Sequence, residues 1–182
     1  MSLYHPPQVS EREAGGWEDC TWASGVMLNN AAHGRTVSPS TRAEYEALRV
    51  AGGDGPAEKP GDGSNNDQLR AGIRARYHWA PAIVGHLSWG QIVARLARPG
   101  DCAAITGSMA VWPIDSHWRR WDPQFHAGHE VFVERMDNLP RIWWMNPQAP
   151  NEFAGEFIPL AELRRFYMGF TAGALLGRVG HL

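Results

Sequence analysis

The stretch that most constrains this chain is Gly16-Trp17-Glu18-Asp19-Cys20-Thr21-Trp22-Ala23-Ser24-Gly25-Val26-Met27-Leu28-Asn29-Asn30-Ala31-Ala32. A Gly-rich lead-in runs into one cysteine, and behind it Ala23, Met27 and Ala31 recur at i, i+4 and i+8. Val26 and Leu28 widen that apolar face, which predicts a helix buried in a core. Asp19 is placed to cap its start, and His33-Gly34 to stop it. Cys20 then falls in the first turn. Unpaired backbone N–H groups and the positive end of the helix dipole favour a thiolate there. A structural cysteine gains nothing from such a position, whereas a nucleophile does.

The rest of the chain narrows the class. At 182 residues it reads as one domain, residues 1–182, able to bury a core without staples. The net charge of −2 and Lys59 as the only lysine argue against a nucleic-acid partner. No run approaches the roughly 18 apolar residues of a membrane span, and Met1–Ser10 lacks the core of a signal peptide. The sequence thus predicts a protein made in a cytoplasm. Cys20 and Cys102, the two cysteines, are too far apart to announce a disulfide framework. Most of the nine tryptophans are expected to pack.

Along the chain, Pro6-Pro7 makes Tyr4–Glu13 an extended lead-in. Helices are predicted over Thr41–Val50, Gln68–Arg76 (capped by Asn66 or Asp67), Trp89–Arg98 (capped by Ser88) and Pro159–Tyr167. Gly52–Asp67 reads as loop. Within it Asp62–Asp67 is only faintly like a calcium loop, because the closing bidentate Glu is missing. Short strands are expected at Ala82–His86 and Cys102–Thr106, the latter after the turn Pro99-Gly100-Asp101. His129–Arg135 alternates, with Glu130, Phe132 and Glu134 on one side and His129, Val131 and Val133 on the other. Asp137-Asn138 turns it into a second strand, Arg141–Met145, that ends at Asn146-Pro147. Between these lies an aromatic insertion, Met109–Gly128, which suits a substrate wall, a partner surface or loop packing. The tail from Gly169 reads as a docked segment. Helices first and a hairpin later predict an α+β fold.

Three of these residues form a chemical constellation. Cys20 opens a helix, His129 opens a strand, and Asn146 ends the paired strand 17 residues later. A hairpin brings His129 and Asn146 to one end, where Asn accepts from one ring nitrogen while the other faces Cys20. That is the nucleophile, base and orienter arrangement. A zinc site from Cys20, Cys102, His126 and His129 is a weaker alternative, because no Cys-x-x-Cys pair announces it.

At these residues the chain resembles the papain-like cysteine hydrolase superfamily. Asp19-Cys20-Thr21-Trp22 is similar to the start of CHAP amidases, and Asp19-Cys20 also suits NlpC/P60 and C39-like peptidases. Gly128-His129-Glu130-Val131-Phe132-Val133, a turn, then Ile142-Trp143-Trp144-Met145-Asn146-Pro147 resembles the C39-like histidine strand and its Asn-Pro ending. The likeness spans most of residues 15–147. It implies a papain-like fold with a nucleophile helix on a small antiparallel sheet, Cys20 as nucleophile, His129 as general base and acid, and Asn146 as orienter. It implies no cofactor and no metal. It also implies cleavage of amide bonds, with peptidoglycan or a peptide as substrate and a phage tail or lysis system as carrier, possible partners being other virion proteins. The departure is Ala14, which stands where C39-like and papain enzymes place an oxyanion-hole Gln; Gln8 lies farther upstream. That departure and the insertion motivate two alternatives, an idle structural module of a virion and a peptidase acting on a protein.

Overall fold

The computed structural model describes Pro6 and residues 20–55, 64–85, 87–125, 127–170 and 173–182. Asp19, Ala14, Gln8 and the Tyr4–Glu13 lead-in lie outside these apart from Pro6, as do His86, His126 and Asp62-Gly63.

Among the described residues, five α-helices and a six-stranded sheet make up the fold. In chain order they are α1 (Cys20–His33), α2 (Arg42–Ala51), α3 (Asn66–Tyr77), β1 (Ala82–Val84), α4 (Trp89–Arg95), β2 (Asp101–Ser108), β3 (Gly128–Glu134), β4 (Arg141–Met145), β5 (Glu156–Pro159), α5 (Leu160–Met168) and β6 (Gly173–Arg178). The strands run in the order β1-β6-β2-β3-β4-β5, and every neighbouring pair is antiparallel. The predicted α+β class with an antiparallel sheet is what the chain adopts. Among the described residues no helix is long and apolar enough to cross a membrane.

Strand alternation builds two cores. Cys102 and Ala104 of β2, Phe132 of β3, Met145 of β4 and Leu175 of β6 face α1, α2 and α3. Ala103 and Ile105, Val131 and Val133, Ile142 and Trp144, and Ala174 face α5 and α4. This is the period of two in a sheet buried on both sides. Twelve residues of α1, Thr21 through Ala32, are buried, so the helix has no solvent face. Gly25 admits Leu69 and Leu48 to the helix surface, where a Cβ would collide with Leu69. The two buried asparagines of α1 are satisfied. Asn30 Oδ1 accepts from the Val37 and Ser38 backbone N–H groups at 2.9 Å each. Asn29 Nδ2 donates to Ser38 Oγ at 3.0 Å.

Several boundaries differ from expectation for identifiable reasons. Helix α3 is capped by Asn65, because only a cap three residues before Gln68 closes the reciprocal pair that both side chains make. Helix α4 stops at Arg95: Leu96 leaves helical geometry, and Asp101 Oδ2 takes the Arg98 N–H at 2.8 Å to form the turn. The first strand ends at Val84. Pro159 precedes the last helix, and Thr41 caps α2. Ser64, from the weakly calcium-like stretch, instead accepts from Trp22 Nε1 at 2.8 Å. The glycine-rich tail is strand β6, inserted between β1 and β2. Gly177 is there for closeness, since a Cβ would stand 3.0 Å from Leu28 Cδ1. The sheet is therefore larger than the small sheet expected.

Candidate active site

β3 and β4 place the first two members of the constellation. The register Phe132↔Met145 and Val133↔Trp144 brings the start of β3 beside the end of β4. His129 Nε2 and Asn146 Oδ1 are 2.8 Å apart, and both residues are buried. Asn146 Oδ1 also accepts the Gln148 backbone N–H at 2.9 Å, which fixes the amide oxygen toward the ring. An accepting oxygen requires a proton on Nε2, so the neutral ring carries its lone pair on Nδ1. Nδ1 is buried and has no hydrogen-bond partner among the described residues.

Burial pushes the His129 pKa down from its ordinary 6.5 to about 4. The Asn146 hydrogen bond and the Asp122 charge oppose that shift without cancelling it. The imidazole is therefore neutral at neutral pH, a state in which Nδ1 can take a proton. The Phe125 ring meets it edge-on at 5.5 Å. Opposite His129 in the register is Gly107, and a Cβ at that position would enter the Phe166 ring.

The insertion covering this side is held from within by Arg119. Its guanidinium donates to the carbonyl oxygens of Trp112 (2.9 Å), Pro123 (2.6 Å) and Phe125 (2.8 Å). Around it, Trp112, Trp118, Trp144 and Phe166 form a continuous aromatic group, with Trp112 stacked on Phe166 at 5.6 Å. Most of the insertion is thus packing. Its outer rim carries Arg120 over the Trp121 ring at 4.5 Å and paired to Glu156 at 2.7 Å.

Cys20 is the first residue of α1, is half-buried and forms no disulfide with Cys102. The helix start is tied to β3 one residue beyond the histidine. Ser24 Oγ donates to the Glu130 carbonyl at 3.2 Å, and the Thr21 hydroxyl lies near enough to the Glu130 carboxyl to lower its pKa. Cys20 and His129 therefore belong to the same end of the sheet. They do not share a face: Val131 and Val133, in phase with His129, pack around α5, whereas Phe132, in phase with Glu130, packs against α1. The side chain that β3 offers to the first turn of α1 is Glu130.

Glu130 is the site residue that sequence reasoning passed over. The alternation placed it opposite His129, but nothing in the sequence said that its side would be the helix side. The zinc alternative fails on geometry. Cys102 pairs with Glu134 and Gly107 with His129, so Cys102 and His129 are five strand residues apart, about 17 Å. No cluster of three metal-binding side chains occurs among the described residues. No protein-family model, curated protein or solved structure matches the chain.

Proposed function

We propose that this protein is a cysteine hydrolase of papain-like design that cleaves amide bonds. The observation that carries the reading is the buried His129–Asn146 hydrogen bond, which leaves the Nδ1 lone pair without a partner among the described residues, at the sheet end where α1 begins. This reading requires the first turn of α1 to reach the His129 face around the end of the sheet; there Nδ1 takes the proton from the Cys20 Sγ–H, and the thiolate is stabilised by the helix start. Sγ adds to the amide carbonyl, and the Cys20 backbone N–H is one donor to the oxyanion. The imidazolium returns its proton to the departing amine, leaving a thioester. Water then attacks the thioester, with Nδ1 again the base, and Cys20 is released. Asn146 keeps Nε2 protonated and the ring oriented throughout.

The substrate class we propose is peptidoglycan cross-links, on the likeness of Asp19-Cys20-Thr21-Trp22 to CHAP and NlpC/P60 domains. A virion or lysis system is the proposed carrier. The test is digestion of purified peptidoglycan under reducing conditions, with release of new amine and carboxyl ends read by mass spectrometry. Wild-type protein is expected to cleave and Cys20→Ala to be inert while remaining folded. Intact peptidoglycan would move the search to peptide and protein substrates.

A second reading has its own observation. His129 and the α1 side chains belong to opposite faces of the sheet, and burial disfavours an imidazolium. An idle papain-like module of a virion fits both facts. It predicts that Cys20→Ala leaves assembly and infectivity unchanged.

A further inference from the structure

We infer that Glu130 is the positioning residue that seats the first turn of α1, and with it the Cys20 thiol, against the start of β3. Glu130 is 2% exposed and sits at the junction of three elements. From α1 Ser24 Oγ donates to its backbone carbonyl at 3.2 Å, and the Thr21 hydroxyl lies near enough to its carboxyl to pull the carboxyl pKa down. From β2 the Thr106 hydroxyl approaches Oε2 at 3.5 Å. From α3, Asn66 Nδ2 donates to that same Thr106 oxygen at 3.3 Å. The chain of bonds runs Asn66 to Thr106 to Glu130 and ends there. Glu130 Oε1 and Asn66 Oδ1 are buried with no hydrogen-bond partner among the described residues.

A buried carboxylate with one oxygen unpartnered is costly, whereas a protonated carboxyl is not charged. Burial pushes the Glu130 pKa from its ordinary 4.5 up to about 8, while the Thr21 and Thr106 hydroxyls pull the other way. The groups that face it from α1, β2 and α3 are Thr21, Ser24, Thr106 and Asn66, none of them charged. His129, the adjacent titratable residue, points to the other face. Neutral Glu130 has a mechanical and an electrical consequence. It holds the helix start by Thr21, the residue after Cys20. It also leaves the positive end of the α1 dipole to the thiolate, where a carboxylate would compete for it and repel the sulfur.

The inference rests on reading Cys20 as the nucleophile, and the experiment separates the two. Cys20 alkylation by iodoacetamide is followed in wild type, Glu130→Gln, Glu130→Ala, Thr21→Val and the Thr21→Val/Glu130→Ala double variant. Amide hydrogen exchange of Thr21–Ser24 is followed in the same set. Glu130→Gln keeps shape and neutrality and is expected to retain wild-type alkylation and protection. Glu130→Ala and Thr21→Val are each expected to lose protection in the first turn of α1 and about tenfold in alkylation rate, the size of one net hydrogen bond. The double variant is expected to lose no more than either single one, because both remove the same contact. Protection of α5 should stay unchanged, which separates a local seat from global loss of stability.

Full protection of Thr21–Ser24 in Glu130→Ala would overturn the inference, as would additive losses in the double variant. A wild-type Cys20 that reacts as an ordinary thiol contradicts the catalytic reading instead. Exchange in the first turn then still decides whether Glu130 is the seat.

Discussion

The two faces of β3 solve the same problem in opposite ways. On the α5 side His129 closes its hydrogen bond at the sheet end, to Asn146 just past the next strand, and keeps a lone pair with no partner among the described residues. On the α1 side Glu130, the very next residue, turns its carboxyl toward the Thr106 hydroxyl of β2 and the neighbourhood of Thr21 on the helix. Burial drives both toward neutrality, the histidine pKa down to about 4 and the glutamate pKa up to about 8. Between those limits a His-Glu dipeptide in the middle of a protein carries no charge. What differs is what each neutral group holds. His129 holds a lone pair oriented by a rigid neighbour, and Glu130 is the fastener inferred between layers. A strand that presents alternate side chains to two layers can thus orient a base on one and anchor the proposed nucleophile's helix on the other.

That contrast can be broken at several strengths. The largest effect is expected from the hydrophobic residues that make the two faces. Phe132→Ala on the α1 side and Trp144→Ala on the α5 side should each cost about 3–5 kcal/mol, read by guanidinium denaturation. Both should lower one cooperative transition. A variant that melts one layer and leaves the other intact would show that the faces are separate folding units.

Next comes the His129–Asn146 bond. Asn146→Ala should cost about 1–3 kcal/mol, because a buried ring nitrogen loses its partner. The same bond raises the His129 pKa, so its loss should move the imidazole titration, followed by NMR, to still lower pH. An unchanged titration would mean that Asn146 does not govern the ring.

A smaller and more diagnostic effect is the pH dependence of stability. Glu130 titrates higher in the fold than its ordinary 4.5, so its contribution is full below that value and is lost as pH rises toward about 8. His129 titrates lower than its ordinary 6.5, so its contribution is present above that value and is lost as pH falls toward about 4. Glu130→Gln should therefore remove the loss on the alkaline side and leave the acid side alone. Denaturant midpoints measured from pH 4 to 9 check this. The smallest effect is expected at the exposed Arg42–Glu46 pair on α2, where Arg42→Ala should change stability by no more than about 0.5 kcal/mol.

How much of this was legible in the sequence depended on range. The α1 helix could be read because its periodicity, its small residues and its apolar face all lie within 14 residues. The pairing of His129 with Asn146 followed from a hairpin whose turn, Asp137-Asn138, is itself local. Strands β5 and β6 were not legible. Glu156–Pro159 is four residues long without clear alternation, and β6 contains Gly173 and Gly177, which sequence rules read as loop. Its glycine at 177 answers to Leu28, 149 positions away in the chain. Glu130 failed for the same reason. A carboxylate in an alternating strand normally marks the solvent face, and here the helices that cover that face come from the first half of the chain. The role of Arg119 depended on carbonyls turned inward by the insertion, which no local pattern encodes.

The central claim is that Cys20 and His129 work as a pair, and the pH profile of Cys20 alkylation tests it most directly. Cys102 is fully buried, and burial pushes its thiol up, so peptide mapping assigns the signal to Cys20 without interference. The account predicts rapid alkylation well below the ordinary thiol pKa of about 8.5, with a profile that changes in His129→Ala. A Cys20 that reacts only as an ordinary thiol, or whose profile is the same in His129→Ala, would contradict it.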